Sequence, residues 1–240
     1  MKKFLIFFFI IQSKLLYAQD PVIVISAGKT FQALNTVGSS VEVIDTKNIE
    51  DSNNFLLSDV IEESATSINS FKTGGYGTST GIQLRGLEKR YSTVYVDGVK
   101  MMDPSSSDGS FYLENILSSG IEKVEILKGT QSSLYGGNAI GGVINIFTKK
   151  GGKEDRSTLA IEKGSNNTND IQYSINKNFE NLNFYFGLNK FFSDGISAMN
   201  DNTESDKYRN NNLISNLQFE LDKKGKLNKN TNRLPLLVKE

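Results

Sequence analysis

Carboxylates are the side chains best able to do chemistry in this chain, because it contains no histidine and no cysteine. Four of them fall in one short polar segment, at Asp194, Asp201, Glu204 and Asp206. Oxygen ligands at such short spacing suit Ca²⁺, although the spacing is not that of an EF-hand. Two interpretations therefore stay open for this segment, a calcium site and a solvated polar loop.

Other common kinds of active site find little support in the sequence. Without histidine the chain lacks the commonest general base and the commonest zinc ligand, and no acid–base pair stands out. The glycine runs at 74–77 and 136–141 do not form G-x-G-x-x-G at a strand-to-helix turn, and no Gly-Lys-Ser/Thr follows them. We therefore expect a protein that is not an enzyme and has no ATP site of its own.

The first residues have the composition of an export signal. Lys2 and Lys3 precede the apolar run 4–11, and Ala18 is a small residue at a plausible cleavage site. This pattern predicts a signal peptide over residues 1–18. The apolar run is short of the ~20 residues that a membrane helix needs, so a transmembrane anchor is the weaker alternative. After cleavage the net charge is near −3, from 24 Lys and Arg against 27 Asp and Glu. That charge gives no reason to expect a nucleic-acid partner.

The elements that would position a site fall in a glycine-rich middle and the segment before it. Of the 21 glycines, 15 lie between Gly74 and Gly152. Upstream, Val41 to Ile44 predicts a strand, Asp45 could cap a short helix, and the spacing of apolar residues over 55–63 predicts a second helix. These features predict a small α+β domain over residues 38–150.

Several short motifs occur in a fixed order within this domain. They are Arg85-Gly86, Asp97-Gly98 after the strand-like run 94–96, Glu125 in the strand-like run 121–128, Gly129, Tyr135-Gly136, Gly141-Gly142 and the strand-like run 143–147. Each motif alone is common, since Asp-Gly is an ordinary hairpin turn. Together and in this order they resemble the plug domain of TonB-dependent outer-membrane receptors, and the resemblance covers roughly residues 20 to 200.

The resemblance implies both a function and an organisation. Its members take up a scarce nutrient across the outer membrane of Gram-negative bacteria, with energy from the proton gradient delivered by TonB. The style of the motifs is that of cobalamin (vitamin B12) receptors, with ferric siderophore or haem receptors as the alternative. The expected domains are a signal peptide (1–18), a TonB box and linker (19–37), a plug domain (38–150) and the start of a β-barrel (151–240).

The resemblance also assigns candidate site residues. A TonB box, which pairs edge-on with TonB, is expected at Asp20, Pro21, Val22, Ile23, Val24, Ile25 and Ser26. Alternating β-branched residues suit such strand addition, although an ordinary first strand would look similar. A clamp between plug and barrel wall is expected at Arg85, Lys128 and Glu125. Ligand contacts are expected in two loops, at Tyr76, Met101, Met102, Asp103 and Ser106.

After residue 151 the pattern changes to a two-residue alternation of polar and apolar side chains. It occurs over 158–162, 171–176, 182–188 and 217–221. A membrane β-barrel strand has this pattern, and so does a soluble antiparallel sheet, as in a secreted binding protein or adhesin. With the signal peptide and the motifs, we expect an α+β plug domain followed by the first antiparallel strands of a transmembrane β-barrel. Residues 153–240 leave room for about four strands of ~10 residues, so we expect the chain to be incomplete and its barrel to contact outer-membrane lipid.

Overall fold

The computed structural model of the protein describes residues 22–152, 154–179, 182–199 and 204–219. The predicted signal peptide, Asp20, Pro21, Asp201 and the segment after residue 219 lie outside the described residues. The described strands are β1 (Ile23–Val24), β2 (Gln32–Ala33), β3 (Ser40–Ile44), β4 (Ile68–Lys72), β5 (Thr80–Leu84), β6 (Ser92–Val96), β7 (Val99–Lys100), β8 (Ile121–Lys128), β9 (Gly142–Thr148), β10 (Arg156–Lys163), β11 (Asn169–Phe179), β12 (Leu182–Ser193) and β13 (Tyr208–Phe219). The described helices are α1 (Thr46–Asp51), α2 (Leu57–Ser64) and α3 (Ser132–Tyr135), with 3-10 turns at Leu34–Thr36, Lys89–Tyr91 and Ser118–Gly120.

A five-stranded mixed sheet forms the centre of the first part of the chain. Its strand order is β3-β8-β9-β6-β7, with β6 and β9 parallel and the other pairs antiparallel. The central strands are rich in β-branched residues, and Val124, Ile126, Ile144 and Ile146 are all buried. Such side chains fit a pleated surface that is covered by other elements. The strands predicted at 41–44, 121–128 and 143–147 are therefore confirmed.

Two short helices cover this sheet. Asp45 caps α1, because its side chain accepts a hydrogen bond from the Asn48 backbone while the Asn48 side chain accepts from the Asp45 backbone. Helix α2 buries Leu57, Val60 and Ile61 completely against the core. None of the helices in the described part of the chain is long and apolar enough to cross a membrane.

A hairpin of β4 and β5 packs beside the sheet, with Ile68 paired to Leu84 and Lys72 to Thr80. Strand β5 is almost wholly buried, and Ile82 and Leu84 belong to the main hydrophobic core. The loop 73–79 joins the two strands. The motif Arg85-Gly86 follows β5 directly and reverses the chain, since both residues have positive φ angles.

The last four strands form a separate antiparallel sheet in the order β10-β11-β12-β13. Aligned positions on its outer face carry apolar side chains, as in the row Leu159, Tyr173, Leu188 and Leu213. The opposite face carries Asn176, Asn189, Asn212 and Asn216 among other polar residues. The predicted alternation is confirmed. Strand β13 begins at Tyr208, well before the alternating segment 217–221. The alternation does not mark this first part of the strand, because residues 209–212 are polar on both faces.

Candidate functional site

The segment 22–26, where the sequence predicts a partner-binding strand, is docked on the plug sheet. Strand β1 pairs with β2 through Ile23 and Ala33 and through Val24 and Gln32. The backbone N–H of Leu34 donates to the Val22 carbonyl at 2.8 Å, which extends this pairing. The side chain of Val24 is completely buried, whereas half of Val22 is exposed.

The carboxylate of Glu125 is the main attachment point for this segment. It accepts hydrogen bonds from the backbone N–H of Ile25 at 3.0 Å and of Ser26 at 2.8 Å, and from the Ser26 hydroxyl at 2.5 Å. Lys123 forms an ion pair with it at 2.6 Å. Glu125 is fully buried, so these contacts replace all of its hydration.

Ser26 is held by two further side chains of the sheet and its connections. The Tyr135 hydroxyl donates to the Ser26 carbonyl at 2.6 Å, and the Asn145 amide donates to the Ser26 hydroxyl oxygen at 2.8 Å. The ammonium of Lys29 lies 4.9 Å from the centre of the Tyr135 ring. Ser26 thus combines a buried hydroxyl, N–H and C=O that all have partners.

The electrostatic state of the site follows from these contacts. Burial acts to raise the pKa of the Glu125 carboxyl, but hydrogen bonds from Lys123, Ser26 and the Ile25 backbone outweigh burial and hold the pKa below its ordinary value. Burial also raises the pKa of Tyr135, which keeps its hydroxyl protonated as a donor. The docked segment is therefore bound to a charged carboxylate.

Local folding brings these groups to one face of the sheet. Glu125 of β8 is aligned with Asn145 of β9, and Asn145 with Tyr95 of β6. Gly136, with a φ of 91°, follows the last residue of helix α3 and ends the helix. The helix places Tyr135 edge-on to Tyr95 at 5.1 Å between ring centres. Gly142 lets β8 and β9 meet, because a Cβ there would lie 2.2 Å from the Leu127 carbonyl oxygen.

The structure places the three predicted clamp residues differently from one another. The Arg85 side chain is exposed, and its guanidinium lies beside Gly129. Lys128 forms an ion pair with Glu42 of β3 and donates to the Thr66 hydroxyl at 2.8 Å, so its described partners are in the plug. The resemblance implies a plug–barrel contact for Glu125, whereas its carboxylate contacts the N-terminal segment, because that segment covers its face of the sheet.

Uncharged amides attach the plug to the second sheet. Asn216 of β13 donates to the Lys149 carbonyl at 2.6 Å and to the Thr148 hydroxyl at 3.2 Å. Asn210 donates to the Asn115 carbonyl at 3.0 Å, and Asn189 of β12 donates to the Ser119 hydroxyl at 2.9 Å. Sequence reasoning missed these residues, although the alternation pattern puts all three on the inner face.

The predicted ligand loops have distinct surroundings. Tyr76 packs on the second sheet, 5.1 Å from Phe191 and 6.1 Å from Tyr208 between ring centres, and a Cβ at Gly77 would lie 2.4 Å from the Tyr208 ring. Loop 73–79 is therefore attached to the strands of the second sheet through Tyr76.

The second loop is folded around its own carboxylates. Asp103 accepts from the backbone and hydroxyl of Ser105, and the Ser106 hydroxyl donates to Asp108 at 2.6 Å. Met101 packs partly on the core, whereas Met102 is more than half exposed. Both methionines line a cavity of about 360 Å³ between this loop and the start of β13.

The acidic segment does not form a metal-binding group in the described residues. Asp194 accepts from the Asn167 amide at 3.3 Å and lies 3.7 Å from Lys207, and Asp206 accepts from the Ala198 backbone at 2.9 Å. Glu204 also lies in this segment, and Asp201 is outside the described residues. No cluster of three or more possible ligands was found where the structure describes the chain. Calcium binding stays a prediction.

The chain is similar in part to outer-membrane receptors and transporters. The model of the TonB-dependent receptor plug domain matches residues 33–143. The chain is 31% identical over 170 residues to the vitamin B12 transporter BtuB of Vibrio vulnificus, which covers 69% of this chain and 27% of that protein. It is 31% identical over 136 residues to an iron-regulated outer membrane virulence protein of Vibrio cholerae, which covers 55% and 20% respectively.

Among solved structures, the chain is similar to the ferripyoverdine receptor of the outer membrane of Pseudomonas aeruginosa. The TM-score is 0.70 at 17% identity, and the match covers 85% of this chain and 26% of that receptor. The chain thus spans between a fifth and about a quarter of the length of these proteins. The matched domain, the matched fold and the order of the motifs agree. The chain carries a TonB-dependent receptor plug domain, followed by antiparallel strands that match those of the solved receptors.

Proposed function

We propose that the chain serves in active uptake of cobalamin across the outer membrane of a Gram-negative bacterium, driven by the proton gradient through TonB. In this proposal the segment at 20–26 is the TonB box, and the loops around Tyr76 and Met101–Ser106 face the ligand. Transport is the only activity proposed, without a catalytic step.

The observation that carries the proposal is the position of the docked segment. A strand with alternating β-branched residues lies immediately before the plug domain. Side chains of the plug hold it, and it does not pair with a strand of the five-stranded sheet. A segment attached in this way can be exchanged for another partner without unfolding the sheet. Strand addition is the recognition mode that suits its sequence.

The choice of cobalamin is supported by similarity to proteins named as vitamin B12 transporters in three bacterial strains. A ferric siderophore is the second candidate, because an iron-regulated relative and solved siderophore receptors are also similar.

A binding competition separates the two ligand classes. Outer membranes that contain the receptor, expressed from its complete gene, are titrated with labelled cobalamin in the presence of unlabelled cobalamin or a ferric siderophore. We expect only unlabelled cobalamin to compete at micromolar concentrations. Competition by the ferric siderophore alone, with no cobalamin binding, would assign the receptor to the second class.

A fractionation experiment tests the location. The receptor should stay in the outer-membrane pellet through washes with high salt and urea, because its apolar strand face is in lipid. Release by those washes is the behaviour expected of a secreted binding protein or adhesin, and it would contradict the proposal.

A further inference from the structure

Three cationic side chains, Lys163, Lys190 and Arg209, lie at one end of the outer face of the second sheet. Each is an even number of residues from the residue that its own strand contributes to an apolar row on that face, and side chains alternate between the two faces of a strand. The row consists of Leu159, Tyr173, Leu188 and Leu213. All three cations lie beyond the row in the same direction, so the outer face changes from apolar to basic toward this end.

These cations have no carboxylate partner within the described part of the chain. All three side chains are exposed, and none takes part in an ion pair there. Glu162 and Asp170 are the only carboxylates in the described residues of β10 to β13. They are aligned with each other on the inner face, where Glu162 lines a cavity between the plug and the second sheet. The described strands therefore do not neutralise the positive charge of the outer face.

Two of the cations are close enough to share one phosphate. Arg209 is aligned with Phe192 on the neighbouring strand, and its guanidinium lies 5.3 Å from the centre of the Phe192 ring. Lys190 is diagonal to Arg209 across the same strand pair, a relationship in which two residues are about 7–8 Å apart. Two long side chains can reach one anion over that distance. The guanidinium offers a planar fork for two phosphate oxygens, and the ammonium adds a compact charge.

The third cation is placed to meet a second anionic group. Lys163 lies on β10, two strand positions from β12, which carries Lys190. Neighbouring strands are about 4.8 Å apart, so Lys163 is about 10 Å from β12. The three cations together fit a headgroup that carries two phosphates at separate positions.

The connections between the strands indicate which end of the sheet is basic. Only residues 180–181 join β11 to β12 at the other end, whereas residues 194–207 join β12 to β13 at the basic end. In outer-membrane barrels the short turns are periplasmic and the long loops are extracellular. The basic end is thus the outward end, where the apolar face of a barrel meets the headgroups of the outer leaflet.

We propose that Lys163, Lys190 and Arg209 bind the phosphates of an outer-leaflet lipid whose acyl chains lie along the apolar row. The occupant that fits is a glycolipid of the lipid A type, which carries two phosphates on a sugar headgroup above its acyl chains. Its anionic part meets the unpaired cations, and its apolar part meets the row directly below them. This inference rests on the outer-membrane location in the proposed function and is independent of the transported ligand.

Binding of purified lipid A to the receptor tests this inference. The receptor, expressed from its complete gene and purified in a mild detergent, is titrated with lipid A, and native mass spectrometry counts the bound lipid. We expect the double variant Lys190→Gln/Arg209→Gln to bind lipid A roughly 25-fold more weakly, because each cation near an anionic lipid surface contributes about fivefold in affinity. The matched control is Lys177→Gln, which removes a cation from the opposite end of the outer face, where it is paired with Asp155. This control should leave the affinity unchanged.

Changes in the lipid and in the protein should have the same effect. Lipid A without its phosphates should bind the unsubstituted receptor as weakly as intact lipid A binds the double variant. The charge-conserving variant Lys190→Arg/Arg209→Lys should retain most of the affinity, which shows that the loss comes from charge. Equal affinity of the double variant and the unsubstituted receptor for lipid A would overturn the inference. Complete displacement of lipid A by inorganic phosphate would also overturn it, since the site would then be one for free phosphate.

Binding of labelled cobalamin by the same preparations separates this inference from the proposed function. The double variant should bind cobalamin as the unsubstituted receptor does, because its changes lie on the outer face. Normal cobalamin binding without a difference in lipid A affinity between the double variant and Lys177→Gln would overturn this inference alone. Binding of lipid A through these cations in a receptor that does not bind cobalamin would contradict the ligand assignment alone.

Discussion

The Ser26 hydroxyl donates a hydrogen bond of 2.5 Å to the carboxylate of Glu125, 99 residues further along the chain. This contact joins the N-terminal segment to β8, an inner strand of the plug sheet. It is buried and charge-assisted, which makes it one of the stronger types of polar contact in a protein. The behaviour of the segment therefore depends on a residue of the plug core rather than on its own sequence alone.

Val24→Pro should abolish energised uptake and leave ligand binding at the cell surface intact. Proline lacks the N–H that a paired strand needs and fixes its φ angle. Uptake of labelled cobalamin by energised cells, compared with binding to de-energised cells, measures the two activities separately. The control is Val22→Ala, which trims an exposed side chain and keeps the backbone donor. Normal uptake by Val24→Pro would remove the segment from the coupling mechanism.

Arg85→Ala should make the plug leaky if the predicted clamp to the barrel wall exists. Arg85 is exposed in the described part of the chain, so the predicted clamp requires that the barrel wall of the whole receptor covers it. Loss of one partner of a pair buried in this way costs about 3–5 kcal/mol. Entry of large antibiotics and cleavage of the plug by added protease are the measurements. Because Arg85 has a φ of 54°, Arg85→Gly is a second variant that removes the charge and relaxes the backbone. Normal permeability in both variants would show that Arg85 is a solvated surface residue.

The docked segment should detach at acid pH. The pKa of Glu125 is lower in the docked state than its ordinary value, so protonation favours the detached state. Docking is fully supported above the ordinary glutamate pKa of about 4.3 and is lost as the pH falls through the lowered value. A spin label on the exposed position Val22→Cys should become more mobile over that range. In the Glu125→Gln variant the same label should be mobile at every pH. If the mobility of the label does not change with pH in the receptor that keeps Glu125, the prediction is contradicted.

Asn216→Leu should loosen the attachment of the plug to the second sheet. The substitution removes two hydrogen bonds and leaves the partly buried Lys149 carbonyl and the buried Thr148 hydroxyl without this donor, at a cost of about 1–3 kcal/mol. The rate of hydrogen exchange of the backbone amides of β9 should increase. The size of this increase should depend little on the salt concentration, because the lost contact is uncharged. Ser215→Ala, a change on the adjacent outward-facing residue, is the control. Equal exchange in the two variants would mean that Asn216 does not hold the plug.

The sequence was sufficient to predict the strands of the plug sheet and the alternation of the second sheet. Both depend on local periodicity and on short turns, which the sequence records directly. The cap at Asp45 is similarly local and was found at the predicted residue. The family motifs added the order of the elements, which periodicity alone does not specify.

The environment of Glu125 was beyond such reasoning. Alternation with Val124 and Ile126 makes Glu125 look like a solvent-facing residue, whereas its side chain is fully buried. The cover comes from a segment about 100 residues earlier, and no local pattern encodes that contact. The same limit applies to Lys128, whose partner Glu42 lies on a strand far away in sequence. Glu125 and Lys123 do share a face of β8, a signal that could have suggested a joint role.

The order of strands in the plug sheet has a consequence for how the protein matures. Strands β8 and β9 lie at the centre of the sheet, but they are its last strands in the chain. Until residues 121–148 have emerged, β3 has no partner strand and β6 has only the two-residue β7. Pairings so distant in sequence form slowly, because the intervening loop must first be closed. A newly made chain would therefore assemble the core of this sheet only after residues 121–148 have been synthesised.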